Sequence, residues 1–408
     1  MTALEFSLIH LPSRSATAVP SVLETPPLAL YVHFPWCVRK CPYCDFNSYA
    51  VREGFPEESY IAALGADLAA QAPAVAAREV SSIFLGGGTP SLFSPRGVGR
   101  VLEDAGRHLR LAADLEVTLE ANPGTIERGR FAEYRVAGVN RVSLGAQTFD
   151  AARLAALGRI HSPLETRRAA EELHAAGIGN FNLDLMYGLP GQDADDAERD
   201  IEEALLLEPA HLSHYQLTIE TGTVFAGRPP PLPDEEAVEG MLGACAERLC
   251  RAGLRRYEIS GYATPGRRCR HNLNYWLFGD YLGIGAGAHG KLTQAAAGQV
   301  WRTTQPREPR RYMAGAPSGA GHRRLVPAQD LPFEFMLNAL RLADGFEAAL
   351  FCSRTGLAWE TVRPTVEQLI GRGLMVREGH CYRPSPLGFC FLNDLLTVFL
   401  PETSKTID

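Results

Sequence analysis

The 408-residue chain lacks long hydrophobic runs: no window has the roughly 18 consecutive apolar residues of a membrane-spanning helix. It also lacks a basic excess, because 40 lysines and arginines against 47 aspartates and glutamates give a net charge of −7. No basic stripe stands out, so nucleic-acid binding is not expected. The first 27 residues carry no basic segment before an apolar run, which argues against a signal peptide. We therefore expect a soluble, cytoplasmic protein.

Cysteine is sparse and unevenly placed. Nine cysteines in 408 residues are too few for the disulfide framework of a secreted domain. Three of them, Cys37, Cys41 and Cys44, fall within eight residues, and the other six are scattered. This clustering indicates a metal site in a reducing compartment. The 46% hydrophobic content is enough to bury a sizeable core, which excludes a disordered or fibrous chain.

Short β-branched or aromatic runs alternate with longer segments of helical periodicity. The six candidate strands are Leu28–His33, Ser82–Leu85, Glu116–Glu120, Arg141–Gly145, Asn180–Met186 and Leu212–Ile219. Alternation at this interval favours parallel βαβ units and therefore an α/β fold. Six units are too few for a full eight-unit barrel, so the pattern predicts a partial (β/α)6 barrel or an open sheet.

Composition divides the chain into four segments. Residues 1–27 are predicted to be a flexible tail, and 28–262 the α/β core domain. Residues 263–330 contain the packed sequence HNLNYW at 271–276 and then a Pro/Gly/Arg-rich section, Gln305–Arg324, expected to be a linker or exposed loop. Residues 331–408 show helical patterns around a short strand pair, which suits a small helical, winged-helix-like domain.

The cysteine cluster has the spacing C-x₃-C-x₂-C. Thiolates are soft ligands that favour iron–sulfur clusters, zinc and copper(I). Structural zinc usually takes four protein ligands, commonly from two separated pairs. Three cysteines on one tight loop instead suit a [4Fe–4S] cluster with its fourth iron left open. Zinc and structural cysteines remain the alternatives.

The cysteine loop follows a predicted strand and has an aromatic residue, Tyr43, directly before its third cysteine. In these features it resembles the radical SAM superfamily. The resemblance implies that S-adenosylmethionine (SAM) chelates the open iron, and that electron transfer cleaves its C5′–S bond. It also implies a radical SAM barrel, with Tyr43 beside the adenine.

Further residues at or near the predicted strand ends match superfamily segments. Gly86–Pro90 (GGGTP) resembles the superfamily motif that holds the methionyl amine of SAM. The resemblance implies that Gly87, Gly88 and Thr89 contact this amine. Arg159 suits the SAM carboxylate because a guanidinium binds a carboxylate with two hydrogen bonds. The remaining candidates for SAM contact are Tyr31, Glu120, Gln147 and Asp184.

From Leu28 to Leu400 the chain resembles the HemN/HemW family, the oxygen-independent coproporphyrinogen III oxidase-like proteins. Its dehydrogenase branch has a further cysteine two residues after the third, where this chain has Phe46, and a longer N-terminal segment. The sequences CDFNSY and HNLNYW instead match the haem-chaperone branch, the HemW-like proteins. Imidazole is a common axial ligand of haem iron, so this match makes His271 the candidate haem residue, with Cys269 a weaker alternative.

The resemblance implies a protein that carries haem as cargo to haem-accepting proteins and takes electrons from a flavodoxin- or ferredoxin-like donor. The alternative is radical decarboxylation of coproporphyrinogen III to protoporphyrinogen IX. No catalytic residue is assigned. The sequence decides neither whether the protein turns SAM over nor whether it forms a homodimer.

Overall fold

The structure, a computed structural model, describes residues 22–51, 54–125, 130–319 and 321–401. The strands in these ranges are β1 (Leu28–Phe34), β2 (Trp36–Cys37), β3 (Tyr49–Ala50), β4 (Glu79–Gly87), β5 (Arg110–Ala121), β6 (Arg141–Gln147), β7 (Phe181–Tyr187), β8 (His211–Gln216), β9 (Arg255–Arg256), β10 (Gly261–Ala263), β11 (Asp280–Ile284), β12 (His289–Gln294), β13 (Gln299–Thr304), β14 (His322–Leu325), β15 (Phe346–Glu347), β16 (Met375–Glu378) and β17 (Cys381–Pro384). The α-helices are α1 (Glu57–Gln71), α2 (Pro95–His108), α3 (Arg130–Ala137), α4 (Ala151–Ala156), α5 (Pro163–Ala175), α6 (Ala194–Leu205), α7 (Val224–Gly227), α8 (Glu235–Arg251), α9 (Arg270–Trp276), α10 (Pro309–Gly315), α11 (Leu331–Ala339), α12 (Ala348–Thr355), α13 (Arg363–Gly371), α14 (Pro386–Cys390) and α15 (Leu392–Thr397).

The six strands predicted from the sequence lie side by side in the order β1-β4-β5-β6-β7-β8, and each neighbouring pair is parallel. The prediction of an α/β fold built as a partial barrel is confirmed. Strands buried on both faces read as continuous hydrophobic runs, and every residue of β6 is buried. Because the strands are parallel, their carboxyl ends meet at one edge, where polar side chains from different strands can converge.

Side-chain caps fix where several helices begin. Ser162 and Glu165 form a reciprocal capping box at the start of α5, and Asp193 and Asp196 form another at the start of α6. Each box satisfies backbone N–H groups that the first turn of a helix leaves without partners. The caps therefore fix the first turns of α5 and α6 at Pro163 and Ala194.

The sheet continues beyond both ends of the predicted barrel, to twelve strands in all. Strand β11 pairs parallel to β1, and β12, β13 and β14 add to it as an antiparallel ribbon. Residues 305–324, expected to form a linker or exposed loop, instead contain α10 and the first part of β14. The anchor of α10 is Tyr312, whose buried hydroxyl donates to Asp67 (2.9 Å) and accepts from the Gly285 N–H (3.0 Å). The proline, glycine and arginine content concealed this aromatic contact.

A second hydrophobic core lies in the C-terminal domain, where α11, α12 and α13 pack beside the three-stranded sheet β15-β17-β16. The predicted helical domain with a short strand pair is confirmed. Residues 22–27 were assigned to the N-terminal tail, yet Leu23 is buried in this core and Glu24 N donates to Ser353 O (2.8 Å). The rest of that tail, residues 1–21, lies outside the described ranges. Within those ranges no helix has the length and apolarity to cross a membrane.

Candidate functional site

The three clustered cysteines lie on the loop that follows β1. Cys37, Cys41 and Cys44 are free thiols of intermediate exposure, and all three line one cavity of about 300 Å³. A backbone turn, Cys44 N to Cys41 O at 3.2 Å, holds two of them together. Burial raises the pKa of Cys37 and Cys44, so their thiolate forms need cationic partners. Within the described residues, no three His, Cys, Asp or Glu side chains are placed to hold a single metal ion.

The glycine-rich turn after β4 forms one wall of this cavity. Gly87 has φ +116°, and its N–H donates to Glu120 Oε2 (2.9 Å). A Cβ on Gly88 would approach Trp36 O to 2.6 Å, so this position excludes any side chain. The turn therefore presents bare backbone to the cavity.

Two carboxylates, one on β5 and one on β7, face the same cavity. Burial, together with the negative charge of Asp184, raises the pKa of Glu120 to about 8 although the Gly87 N–H partly opposes this. Burial also raises the pKa of Asp184, which accepts hydrogen bonds from Ser143 (3.0 Å) and Asn182 (2.8 Å). Both groups are poised to accept hydrogen bonds from a polar ligand.

Gln147 and Arg159 complete the cavity wall. Gln147 is a non-glycine residue at φ +71°, next to an irregularity in the β6–β7 pairing, and its Oε1 accepts from Tyr215 (2.8 Å). Positive φ at such a residue stores strain and is typical of functional sites. Arg159 donates to Gly145 O (2.8 Å) and to Asn122 Oδ1, and its Nη1 lies 3.7 Å from Cys41 Sγ.

The structure brings together eleven of the thirteen predicted site residues. They share the cavity and are Cys37, Cys41, Tyr43, Cys44, Gly87, Gly88, Thr89, Glu120, Gln147, Arg159 and Asp184. Tyr31 lines a neighbouring cavity of about 410 Å³ and hydrogen-bonds to His33 Nδ1 (2.9 Å). Three further residues, absent from the predicted set, hold predicted ones in place: Asn122 contacts Arg159, Ser143 contacts Asp184, and Tyr215 contacts Gln147. Of these three residues, only Asn122 could have been predicted from the sequence, because it directly follows β5.

His271, predicted to contact haem, does not line either of these cavities. It is 1% exposed on α9, and both ring nitrogens have partners, Ser82 Oγ (3.1 Å) and Tyr275 Oη (3.0 Å). Burial lowers its pKa to about 3, so the ring stays neutral. The motif anchors α9 against β4, and Trp276 stacks under Arg341 of the C-terminal domain (4.2 Å). In this structure the HNLNYW sequence joins two domains.

Comparison with known proteins first identifies the class of protein to which the chain belongs. Residues 31–204 match the model of the Radical SAM superfamily, and residues 326–391 match the HemN C-terminal domain. The fold resembles that of coproporphyrinogen III oxidase (HemN) from Escherichia coli, with a TM-score of 0.77 over 92% of this chain and 90% of the other, at 21% identity. At 21% identity, the similarity to this structure shows a shared fold and nothing more.

Sequence identity to known relatives then identifies the family within this class. The chain is 46% identical to the "Heme chaperone HemW" of Escherichia coli over 93% of its own length and all of that protein. It is 36% identical to the mouse "Radical S-adenosyl methionine domain-containing protein 1, mitochondrial" over 92% of this chain and 88% of the relative. The chain belongs to the HemW family of radical SAM proteins.

Proposed function

We propose that this protein is a haem chaperone, which binds haem, carries a SAM-ligated [4Fe–4S] cluster and delivers haem to haem-accepting proteins in the cytoplasm. The observation that carries the proposal is the 46% identity along the full length of a protein named as a heme chaperone. Electrons would come from a flavodoxin- or ferredoxin-like donor.

The donor set of the cavity fits both cofactors. Three thiols suit three corners of the cluster, and the exposed backbone of Gly87 and Gly88 leaves room for a polar ligand beside them. When bound, the cluster and SAM supply one-electron chemistry. The chain's own part is to orient SAM: Arg159 would bind its carboxylate, while Glu120 would accept hydrogen bonds from its polar groups. Reductive cleavage of SAM would then act as a switch for haem release.

The test is a haem titration into anaerobically cluster-reconstituted protein, followed by transfer to a haem-free acceptor protein. A saturable Soret shift with one haem per chain, and haem transfer dependent on SAM and reductant, is expected. The alternative is coproporphyrinogen III decarboxylation, which is disfavoured by Phe46 at the position of the extra cysteine. Turnover of coproporphyrinogen without haem binding would reverse the assignment.

Glu120→Gln is expected to reduce the pH dependence of SAM binding. With its pKa raised to about 8 by burial, Glu120 is mostly protonated at pH 7 in the free protein. Hydrogen-bond donors on SAM favour the carboxylate, so binding releases a proton and affinity increases from pH 7 to pH 8, by at most about tenfold. Calorimetric titration at several pH values should show this slope in the wild type and a flatter one in Glu120→Gln. Equal slopes in both would exclude this role.

Gly145→Ala is expected to weaken SAM binding about tenfold, roughly 1.4 kcal/mol. The added Cβ would lie 2.9 Å from Asn122 Oδ1 and 3.0 Å from Arg159 Nη2, and would displace the hydrogen-bonded pair that orients the guanidinium. The matched control is Gly243→Ala in α8, where a Cβ meets no atom within 4 Å. Equilibrium binding by both variants tests this, and an unchanged affinity in Gly145→Ala would show that the guanidinium position is unimportant.

A further inference from the structure

A set of adjacent cavities lies beside the cofactor cavity. Three cavities of about 740, 410 and 410 Å³ share walls, and we call them together the trough. Phe46 and Arg307 line the first and second, while Tyr281 and His289 line the second and third. Phe46 also lines the cofactor cavity, so the trough adjoins the proposed cluster site. A ligand in it would lie next to the cofactors.

One face of the antiparallel ribbon β12–β14 forms a side of the trough. Cross-strand register pairs His289 with Thr304, and Thr304 with His322. Directly paired residues of neighbouring strands point to the same face, as do residues two apart along a strand. Two imidazoles therefore share a row with a small threonine between them, and Arg302 and Arg324 form a second row on that face.

His289 differs from the other histidines near the cofactor cavity. Its side chain is exposed to the trough, and within the described residues neither of its ring nitrogens has a hydrogen-bond partner. Both nitrogens of His271 are engaged, and so are both nitrogens of His33, with Tyr31 and with Asn47 O (2.9 Å). Partial burial and the neighbouring arginines lower the pKa of His289, which favours the neutral ring that coordinates metals.

Uncompensated cations and an exposed aromatic ring complete the trough. Lys40, Arg307 and Arg311 line it, and none of them forms an ion pair with an acidic residue in the described part of the chain. The carboxylate of Glu308 instead accepts backbone N–H bonds at the start of α10. Phe46 is 58% exposed, so its ring is accessible to an apolar ligand in the trough.

We propose that the trough is the haem site, with His289 as an axial ligand of the iron. Phe46 packs against the porphyrin face, and Arg307 and Arg311 bind the two propionates. This inference rests on the proposed function, since it identifies where the cargo is held. It also assigns the role of iron ligand to His289, whose ring nitrogens are accessible, in place of the buried His271.

The test compares ferric haem binding by cluster-loaded wild type, His289→Ala, Arg307→Ala and the control His108→Ala, an exposed histidine at the end of α2. His289→Ala should weaken haem binding by at least about tenfold, change the ferric electron paramagnetic resonance signal, and regain the wild-type signal with added imidazole. Iron-free protoporphyrin IX should bind His289→Ala as it binds the wild type, because it has no iron to coordinate. Arg307→Ala should weaken binding of both porphyrins.

The outcomes distinguish a failure of the proposed haem-chaperone function from a failure of the haem-site assignment. Wild-type protein that binds no haem overturns the proposed function, and the haem site with it. Wild-type binding that His289→Ala leaves unchanged overturns only the site. Loss of binding in His271→Ala or His322→Ala, with His289→Ala unaffected, also rejects His289. Equal loss of iron-free porphyrin binding in His289→Ala would show a damaged trough in place of a lost ligand, and would reject the coordination.

Discussion

Cys41→Ala is expected to give a folded protein whose iron and sulfide content falls to background after reconstitution. A [4Fe–4S] cluster held by three cysteines loses a corner when one thiolate is removed. Cys41 lies on a loop at intermediate exposure, and the backbone turn between its carbonyl and the Cys44 N–H does not need the thiol, so the fold should tolerate alanine. SAM binding should be lost together with the cluster, since the open iron would hold its amino-acid end. Iron and sulfide analysis and the visible absorption spectrum measure the loss.

Cys250→Ala is the matched control, because Cys250 is exposed on α8, away from the cysteine loop. It should reconstitute as the wild type does. A Cys41→Ala protein with full iron content would mean that another cysteine completes the site. It would then contradict the assignment of Cys37, Cys41 and Cys44 as the ligand set.

The barrel and most of the cofactor cavity could be predicted from the sequence because local signals and tertiary structure agree there. Each parallel strand contains a short run rich in apolar residues, and polar side chains in or after its carboxyl-terminal half reach the common edge. The spacing of Cys37, Cys41 and Cys44 and the glycines after β4 are local features, so they can be read without knowing the fold. Ten of the eleven residues that share the cavity belong to such segments, and the exception is Arg159, which lies between α4 and α5.

The features that sequence reasoning missed depend on contacts between distant segments. Asn122 matters because it hydrogen-bonds to Thr89 (2.9 Å) and Arg159, and neither partner can be inferred from its own surroundings. His271 carried a motif, but its burial depends on packing between α9 and β4. The residues of the trough lie on a ribbon whose register no local pattern reveals. Residues 305–324 looked like a linker because turn-forming residues dominate them, whereas Tyr312 fixes the segment to Asp67, 245 positions away.

The ribbon that forms the trough depends on a buried charge cluster at the start of β11. Asp280 is fully buried and accepts from Lys291 Nζ (2.9 Å), Arg78 Nη1 (2.8 Å) and Thr293 N (2.7 Å). Lys291 is 1% exposed, and burial lowers its pKa to about 8 although Asp280 opposes this. The two side chains thus compensate each other at the junction of β11 and β12, where the barrel continues into the ribbon.

Asp280→Ala is expected to destabilise the protein by about 3–5 kcal/mol, because it leaves Lys291 buried without its counter-ion. The double variant Asp280→Ala/Lys291→Met should recover most of that loss, since the fully buried ammonium group is removed with its counter-ion, while Arg78 is 15% exposed and keeps its hydrogen bond to Pro26 O. The control Asp114→Ala breaks the exposed pair with Arg270 and should change stability little. Calorimetric unfolding temperatures of the cluster-loaded variants give the comparison. A double variant no more stable than Asp280→Ala would show that the other contacts of Asp280, and not the charge of Lys291, secure the ribbon to the barrel.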